Sequence, residues 1–303
     1  METVAVMLSS YNGENYLEEQ ISSILSQDGV DVYLYIRDDG SFDTTEMLLQ
    51  RYSNDNRVSI IHGENVGCKS SFYKLAEAAY ASDKDFQYFA FSDQDDVWCQ
   101  GKLRNAIKVL ETKKQTIPCL YGSNYNLVDK NLNYIGYKKN NSKFTFGESL
   151  FSNSVIGCSM VFNKALLKLF LMSTPSDMFM HDCYIKTICL GVGGEFFFDQ
   201  NPNLLYRQHG HNVIGGIRSK KERMASFLSS ITTQNSYAFD TAVSMKKNYR
   251  GLLTEDALRL TDEVLSYKNS VVKKLNLLVS RELETDSISS NLKVKLQILF
   301  NKF

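Results

Sequence analysis

Residues 88–98 of this 303-residue chain read Tyr88-Phe89-Ala90-Phe91-Ser92-Asp93-Gln94-Asp95-Asp96-Val97-Trp98. An apolar, aromatic run typical of a buried strand is followed by three carboxylates within four positions. In α/β sheets, sites form outside the carboxyl ends of the strands. Carboxylates this close repel one another unless a cation or hydrogen bonds neutralise them. In preference to a solvated acidic turn, we expect a site for Mg²⁺ or Mn²⁺, which prefer oxygen ligands, rather than for zinc.

The chain around this segment alternates between short apolar runs and helical periodicity. Strands are predicted over 3–9, 32–36, 57–61 and 87–92, and helices over 16–26, 44–52 and 70–81. Such alternation favours a parallel sheet with helices on both faces. Polar turn-forming residues end three of the strands, at 9–12, 38–41 and 92–96. We therefore expect these loops to line one crevice.

The second half of the chain is less regular. Its pattern predicts strands over 155–162 and 195–199, helices over 165–171 and 181–189, and mainly helix from about residue 219. The sequence contains no internal repeat and no low-complexity tract.

Composition narrows the class of protein. The chain is 43% hydrophobic, which indicates a well-cored globular protein. Six cysteines without a CxxC spacing indicate free thiols in a reducing cytoplasm. A strand begins within three residues of the start, so no signal peptide is expected, and no apolar run reaches the length of about 20 residues that a membrane span needs. The absence of GxGxxG and GxxxxGK[ST] disfavours dinucleotide and P-loop sites.

Four ordered motifs at strand ends carry a family resemblance: Ser9-Ser10-Tyr11-Asn12, Asp38-Asp39-Gly40-Ser41-Phe42-Asp43, Asn65-Val66-Gly67 and Asp93-Gln94-Asp95-Asp96. Together they resemble the family-2 glycosyltransferases with the nucleotide-diphospho-sugar-binding (GT-A) fold, over roughly residues 3–215. The resemblance implies an α/β fold with a mainly parallel, Rossmann-like sheet. It further implies a GT-A domain over 1–215, with a nucleotide-sugar-binding half (1–104) and an acceptor-binding half (105–215), and a helical C-terminal extension over 216–303.

The resemblance also implies which residues hold the donor. They are Ser9, Tyr11, Asn12, Asp39, Asn65, Gly67, Lys69, Asp93, Gln94, Trp98 and Arg207. Tyr11 offers a flat face on which a pyrimidine can stack. Asp39 matches the acid that hydrogen-bonds the pyrimidine or ribose, whereas Asp38 fixes the turn. Lys69 is either a diphosphate contact or a surface lysine, and Trp98 borders the sugar pocket or anchors the core.

The metal and the base follow from the same resemblance. Asp93 and Asp95 match the family's DxD, with Asp95 as the direct ligand, and Asp96 is an outer carboxylate or a helix cap. His209 matches a histidine that approaches the metal, with His211 as a competitor. Asp182 is expected to be the general base; the family usually has Glu-Asp at this point, where this chain has His181-Asp182. The alternative for Asp182 is an acid stabilised by a helix N-terminus.

Two stretches, Phe91-Ser92-Asp93-Gln94-Asp95-Asp96-Val97-Trp98 and Tyr206-Arg207-Gln208-His209-Gly210, resemble the sequences of bacterial rhamnosyltransferases of cell-surface polysaccharide assembly. This resemblance implies an inverting enzyme that uses dTDP-L-rhamnose and a hydroxyl of a growing, lipid-linked glycan. A UDP-sugar (glucose, galactose or N-acetylhexosamine) is the alternative donor. A metal-dependent nucleotidyltransferase or phosphohydrolase and a non-catalytic nucleotide-sugar sensor are competing functions.

The C-terminal third is basic, unlike the body. Residues 213–303 carry 15 Lys and Arg against 9 Asp and Glu, which suggests either contact with an anionic surface or a solvated helical face. Of the anionic surfaces, we favour the inner face of the plasma membrane over nucleic acid. Apolar stripes recur at helical spacing, one of them Leu292, Leu296, Leu299, Phe300 and Phe303. Packing of these stripes on the catalytic domain or on a second subunit is the alternative, which Val294 and Ile298 on the opposite face favour.

Overall fold

The computed structural model describes residues 1–138, 140, 143–209 and 237–303. The predicted helical stretch 219–236, the predicted boundary at 215/216 and His211 lie outside these residues. Nine strands join one sheet: β1 (Thr3–Ser10), β2 (Asp31–Asp38), β3 (Val58–His62), β4 (Tyr88–Ser92), β5 (Val97–Trp98), β6 (Cys119–Val128), β7 (Tyr134–Lys138), β8 (Val161–Asn163) and β9 (Glu195–Arg207).

Eleven α-helices lie within the described residues. They are α1 (Leu17–Leu25), α2 (Thr45–Gln50), α3 (Cys68–Tyr80), α4 (Lys102–Leu110), α5 (Phe146–Ser149), α6 (Lys164–Phe170), α7 (His181–Gly191), α8 (Tyr237–Tyr249), α9 (Glu255–Ser266), α10 (Val271–Val279) and α11 (Ile288–Leu299). None of these helices is both long and apolar enough to cross a membrane.

The sheet order is β3-β2-β1-β4-β8-β6-β9-β5, with β7 beside β6. The first four strands in that order are parallel, β8 is antiparallel to both of its neighbours, and β9 runs parallel to β6. The predicted α/β fold with a mainly parallel sheet in the first half of the chain is therefore confirmed. The second half of the sheet is mixed.

Alternate residues of β1 enter two different cores. Val4, Val6 and Leu8 pack with α1, α2 and α4 on one face of the sheet. Ala5 and Met7 pack on the other face with α3, α6 and α7. A strand buried on both faces has no polar alternation, which explains the continuous apolar run of β1.

The C-terminal helices share the second of these cores. Ala242 and Met245 of α8 and Val264 of α9 are fully buried in it. The Tyr249 hydroxyl donates to the Leu169 carbonyl oxygen at 2.9 Å. Residues 237–303 thus pack on the domain that contains the sheet, and within α11 the packed face carries Val294 and Ile298.

Two strand predictions for the second half need correction. The predicted strand over 155–162 is a 3₁₀ turn at Gly157–Ser159 followed by the short β8. The strand predicted over 195–199 continues to Arg207, through a register shift against β6.

Candidate active site

The carboxyl ends of the parallel strands meet at one edge of the sheet. Ser10 pairs with Asp38, and Asp38 pairs with His62 on the next strand. On the other side of β1, Leu8 pairs with Ser92, the last residue before the acidic segment. The three predicted loops therefore lie side by side.

Gln94 joins two of these loops. Its side-chain oxygen accepts from the Tyr11 backbone N–H and from the Ser10 hydroxyl, each at 2.9 Å, and its amide nitrogen donates to the Tyr11 carbonyl at 3.0 Å. Tyr11 is half exposed and packs edge-on against the solvent-exposed ring of Phe42, with ring centres 6.1 Å apart. The structure thus presents Tyr11 at the surface of the crevice with its backbone held on both sides.

Asn12 and Ser9 tie the same loop to its neighbours. The Asn12 backbone N–H donates to the Ser41 hydroxyl at 2.8 Å, and its side-chain oxygen accepts from Phe42 N–H at 3.0 Å. Asn12 adopts φ of 50°, which asparagine tolerates better than most residues. The Ser9 hydroxyl donates to the Ser71 hydroxyl at 2.6 Å. Asp38 accepts from Ser41, as expected of a residue that fixes the turn.

Asp39 is buried and already holds protein partners. Its carboxylate accepts from the Arg37 guanidinium, from Val66 N–H at 3.0 Å and from Gly67 N–H at 2.9 Å. Its contact with the pyrimidine or ribose stays a prediction. Within the protein, its contacts position the loop 65–67 over the strand ends.

That loop leads into α3. Gly67 has φ of 79°, a conformation that favours glycine, and its N–H is shared with the Asn65 side-chain oxygen at 3.1 Å. Two residues later, Lys69 Nζ donates to the Met178 carbonyl at 3.0 Å. Lys69 therefore links α3 to the segment that precedes α7.

Ionisation is disfavoured in the acidic segment. Burial raises the pKa of Asp93 to about 7, with Asp95 and then Asp182 adding to the effect. Burial, with Asp95 and Asp93, raises the pKa of Asp96 well above its usual range. The ligand atoms of Asp93, Asp96 and Cys158 lie within 4.8 Å of one another.

His209 contacts Asp95 of the acidic segment from just beyond the end of β9. Its Nε2 lies 2.7 Å from Oδ2 of Asp95, and its ring lies over Tyr16 with centres 5.1 Å apart. Hard divalent cations prefer carboxylate oxygens, and Mn²⁺ also accepts imidazole. Asp95 and His209 thus offer one oxygen and one nitrogen ligand to a divalent cation, whereas the ligand atoms grouped with those of Asp93 belong to Asp96 and Cys158. A shared site of Asp93, Asp95 and His209 stays a prediction.

Arg207 is placed differently from the prediction. Its guanidinium is buried; Nε donates to the Asp95 carbonyl at 2.8 Å, Nη1 to the Lys130 carbonyl at 2.7 Å, and Nη2 pairs with Glu19. Its backbone N–H donates to Asp96 at 3.1 Å. These contacts bind β9 to the acidic segment, and contact of the guanidinium with phosphate stays a prediction.

Of the two predicted roles of Trp98, the structure supports the core anchor. Its side chain is buried in the core beside α1 and α4, with Lys102 Nζ 3.8 Å from the ring centre. It anchors the core and does not line an open sugar pocket.

Asp182 stands in the first turn of α7, and its carboxylate is fixed by three donors. Oδ1 accepts from Cys183 N–H at 2.7 Å, whereas Oδ2 accepts from Asn153 Nδ2 at 3.0 Å and from Gly157 N–H at 3.2 Å. A carboxylate held in one orientation suits a general base.

His181, at the position that departs from the family pattern, is part of an aromatic cluster. Its ring stacks on Phe72 with centres 3.9 Å apart and meets Phe91 edge-on at 4.7 Å. Neither ring nitrogen has a hydrogen-bond partner within the described part of the chain. Burial lowers the pKa of His181 to about 4, so the ring is neutral near pH 7.

Helix α3 contacts the other parts of the site. The Ser71 hydroxyl accepts from Ser9 of the Tyr11 loop at 2.6 Å, Lys69 Nζ donates to the Met178 carbonyl at 3.0 Å, and Phe72 stacks on His181, the neighbour of Asp182. The first two turns of α3 therefore join the loop after β1 to the start of α7.

Sequence reasoning missed several supporting residues. Arg37 precedes the Asp38-Asp39 pair and supplies the counter-charge to Asp39, a role that its position next to two acids could have suggested. Asn153, Cys158 and Tyr16 carry no such signal, because only the fold brings them to the acids.

Comparisons with known proteins agree with this geometry. Residues 5–170 match the family model described as "Glycosyl transferase family 2". The chain is 28% identical over 235 residues to the dTDP-rhamnosyl transferase RfbG of Shigella flexneri, which covers 71% of this chain and 76% of that protein. It is 31% identical over 172 residues to the UDP-Glc:alpha-D-GlcNAc-diphosphoundecaprenol beta-1,3-glucosyltransferase WfgD of Escherichia coli, covering 55% of this chain and 62% of that protein.

The fold is shared with a solved structure. TarS residues 1–349 of S. aureus, crystallised with UDP-GlcNAc, align with a TM-score of 0.57 at 14% identity, over 93% of this chain and 77% of that one. At this identity the likeness concerns the fold alone, and it agrees with a GT-A-type architecture.

Proposed function

This chain belongs to glycosyltransferase family 2, and we propose that it transfers a sugar from a nucleoside diphosphate donor to a hydroxyl of a growing cell-surface polysaccharide. The observation that supports the proposal is that the loops after β1, β2 and β4 lie side by side at one sheet edge. Helix α3 joins this edge to the start of α7, because Lys69 donates to the Met178 carbonyl and Phe72 stacks on His181, the neighbour of Asp182.

The proposed donor is dTDP-L-rhamnose. Its support is the likeness to the rhamnosyl transferase RfbG, which extends over 71% of the chain. The likeness to the UDP-glucose-dependent WfgD, at slightly higher identity over a shorter stretch, makes a UDP-sugar the second candidate. Both donors carry a pyrimidine, which the exposed ring of Tyr11 would stack upon.

We propose a single displacement with inversion at the anomeric carbon. The acceptor hydroxyl oxygen attacks that carbon while its proton passes to the Asp182 carboxylate. The bond from the anomeric carbon to the diphosphate oxygen breaks, and its electron pair leaves with the nucleoside diphosphate. The three donors on Asp182 orient its carboxylate for this proton transfer.

Asp93, Asp95 and His209 would hold Mg²⁺ or Mn²⁺. A divalent cation, when bound, offsets the charge that develops on the departing diphosphate. Arg207 and Gln94 keep the acidic segment in register with β9 and with the Tyr11 loop.

A donor panel tests this proposal. Purified protein is melted with dTDP-L-rhamnose, UDP-glucose, UDP-galactose and UDP-N-acetylglucosamine, with and without Mg²⁺ or Mn²⁺. The true donor raises the melting temperature by mass action in the presence of metal. Turnover should then release a nucleoside diphosphate and give a product of inverted anomeric configuration by NMR. Release of pyrophosphate or phosphate would instead identify a nucleotidyltransferase or phosphohydrolase.

A further inference from the structure

The last two helices leave apolar side chains in water. Ile288 and Val279 are 87% and 77% exposed, respectively. Together with their exposed neighbours they form what we term the α10–α11 surface, which consists of Val271, Val272, Leu275, Val279, Ile288, Leu292, Leu299 and Phe300. Single exposed apolar residues are ordinary, but a set of eight on two successive helices is not.

The two helices form a packed hairpin. A short connection joins them, and Lys274 Nζ of α10 donates to the Leu299 carbonyl at 2.7 Å and to Asn301 Oδ1 at 3.0 Å, near the end of α11. The beginning of α10 therefore lies beside the end of α11. Each helix also has a buried face, which carries Leu277 in α10 and Val294 and Ile298 in α11.

The exposed residues follow helical spacing. On α10 they include positions 271, 275 and 279, and on α11 positions 288, 292 and 299. Residues four apart lie on one side of a helix, so each helix presents a stripe opposite its packed face. The sequence predicts that Phe303 belongs to the exposed stripe with Leu292 and Leu299, but its side chain is buried.

Positive charge accompanies this surface. Residues 267–303 contain seven Lys and Arg against three Asp and Glu. Of the acids, Glu284 is paired with Lys143 of the catalytic domain. Within the described residues, Lys273, Lys274, Lys293, Lys295 and Lys302 make no ion pair with a carboxylate.

We propose that the α10–α11 surface binds the surface of an anionic lipid bilayer, with its apolar side chains in the headgroup region and its lysines among the phosphates. Apolar residues flanked by lysine are typical of helices that lie in a membrane interface. The cores of protein–protein interfaces are instead depleted of lysine, which disfavours a second copy of the chain as the occupant. The proposal goes beyond the proposed function, since it requires neither a donor nor sugar transfer.

Vesicle sedimentation without donor tests the apolar part. The whole protein is mixed with vesicles of phosphatidylcholine containing about 30% phosphatidylglycerol, and with pure phosphatidylcholine. Leu275→Gln/Leu292→Gln should weaken binding to the anionic vesicles by about tenfold or more. Met47→Gln/Ile135→Gln changes two residues of similar exposure elsewhere and should bind like the wild type. Equal binding by both double variants would overturn the proposal.

A second pair of variants tests the charge. Lys295→Gln/Lys302→Gln should reduce the preference for anionic over neutral vesicles by about tenfold, whereas Lys108→Gln/Lys114→Gln on the catalytic domain should not. Sedimentation velocity measures the oligomeric state and so tests the competing explanation, a dimer interface. A wild-type dimer that Leu275→Gln/Leu292→Gln converts to monomer, with no vesicle binding by either, would make this face an interface between copies and would overturn the proposal. Donor-induced thermal shifts are measured separately, so failure here does not bear on sugar transfer.

Discussion

Nε2 of His209 lies 2.7 Å from Oδ2 of Asp95, although 114 positions separate them in the chain. Antiparallel pairing of β5 with β9 brings them together, and Arg207 fastens the same strand to the Asp95 carbonyl. An imidazole and a carboxylate at this distance can share a proton or a cation. Because Asp93 and Asp96 interact with Asp95, we expect a cation rather than a proton between Asp95 and His209.

Removing either partner should therefore weaken metal-dependent donor binding. Asp95→Asn and His209→Gln should each lower the donor affinity measured with Mn²⁺ by about tenfold or more, because each takes one ligand from the cation. Calorimetric titration of donor with and without Mn²⁺ measures this. Asp256→Asn, on an exposed turn of α9, is the control. A wild-type response to metal in both variants would contradict the assignment.

Asp182→Asn should separate catalysis from binding. The amide keeps the size of the carboxylate but cannot accept the acceptor proton, so kcat should fall by about 10²–10⁴. Donor affinity should stay within about twofold, since the proposed donor contacts lie on other loops. Single-turnover transfer and calorimetry give the two quantities, and Asp83→Asn at the surface serves as control. Full turnover by Asp182→Asn would exclude it as the base.

The four parallel strands could be predicted because each is an apolar run followed by turn residues. Strand β6 could not, since Gly122, Ser123 and Asn124 interrupt its apolar pattern. Those polar groups are tolerated only in the tertiary structure, where Asn124 Nδ2 donates to the Tyr137 hydroxyl at 2.7 Å. Local pattern carries no information about such distant partners.

The site shows the same division. Motif order predicted which loops converge, because strand topology places them at one edge. It did not predict how each side chain is used. Arg207 and Trp98 are both buried; Arg207 pairs with Glu19, 188 positions away in the chain, and Trp98 lies against the buried ammonium group of Lys102. Residue type and position identify a site, whereas burial decides which members face the ligand.

Neutral His181 makes stability depend on pH. Burial lowers its pKa to about 4 in the folded protein, against about 6.5 in an unfolded chain. Between pH 6.5 and 4 the unfolded chain takes up a proton that the folded protein does not, so the free energy of unfolding falls as pH falls. At about 1.4 kcal/mol per pH unit, this group removes about 3 kcal/mol across the window.

Chemical denaturation between pH 4 and 7.5 measures this slope. His181→Gln should flatten it by that amount, whatever the variant's stability at pH 7.5, because glutamine does not titrate. Equal slopes in wild type and His181→Gln would show that His181 is accessible to protons.

Gly157 controls the position of the proposed base. A Cβ at residue 157 would lie 2.9 Å from Nε2 of His181 and 3.1 Å from Cβ of Asp182, and the Gly157 N–H is itself a donor to Asp182. The His181 ring packs against both Phe72 and Phe91, so it has little room to move away from an added methyl group. The methyl group should therefore displace Asp182. Gly157→Ala should lower kcat by about 10²-fold, the cost of about 1 Å of misplacement, with donor affinity nearly unchanged.

Gly251→Ala provides the matched comparison. A Cβ there would meet nothing within 4 Å, so the same chemical change should leave kcat at the wild-type value. Steady-state transfer and donor titration on both variants measure the contrast. If Gly157→Ala lost donor affinity and kcat together, the methyl group would have disturbed the donor loops as well, since Phe72 stands on α3 beside them. Loss of kcat alone places the disturbance at Asp182, because among the proposed contacts only the base adjoins this glycine.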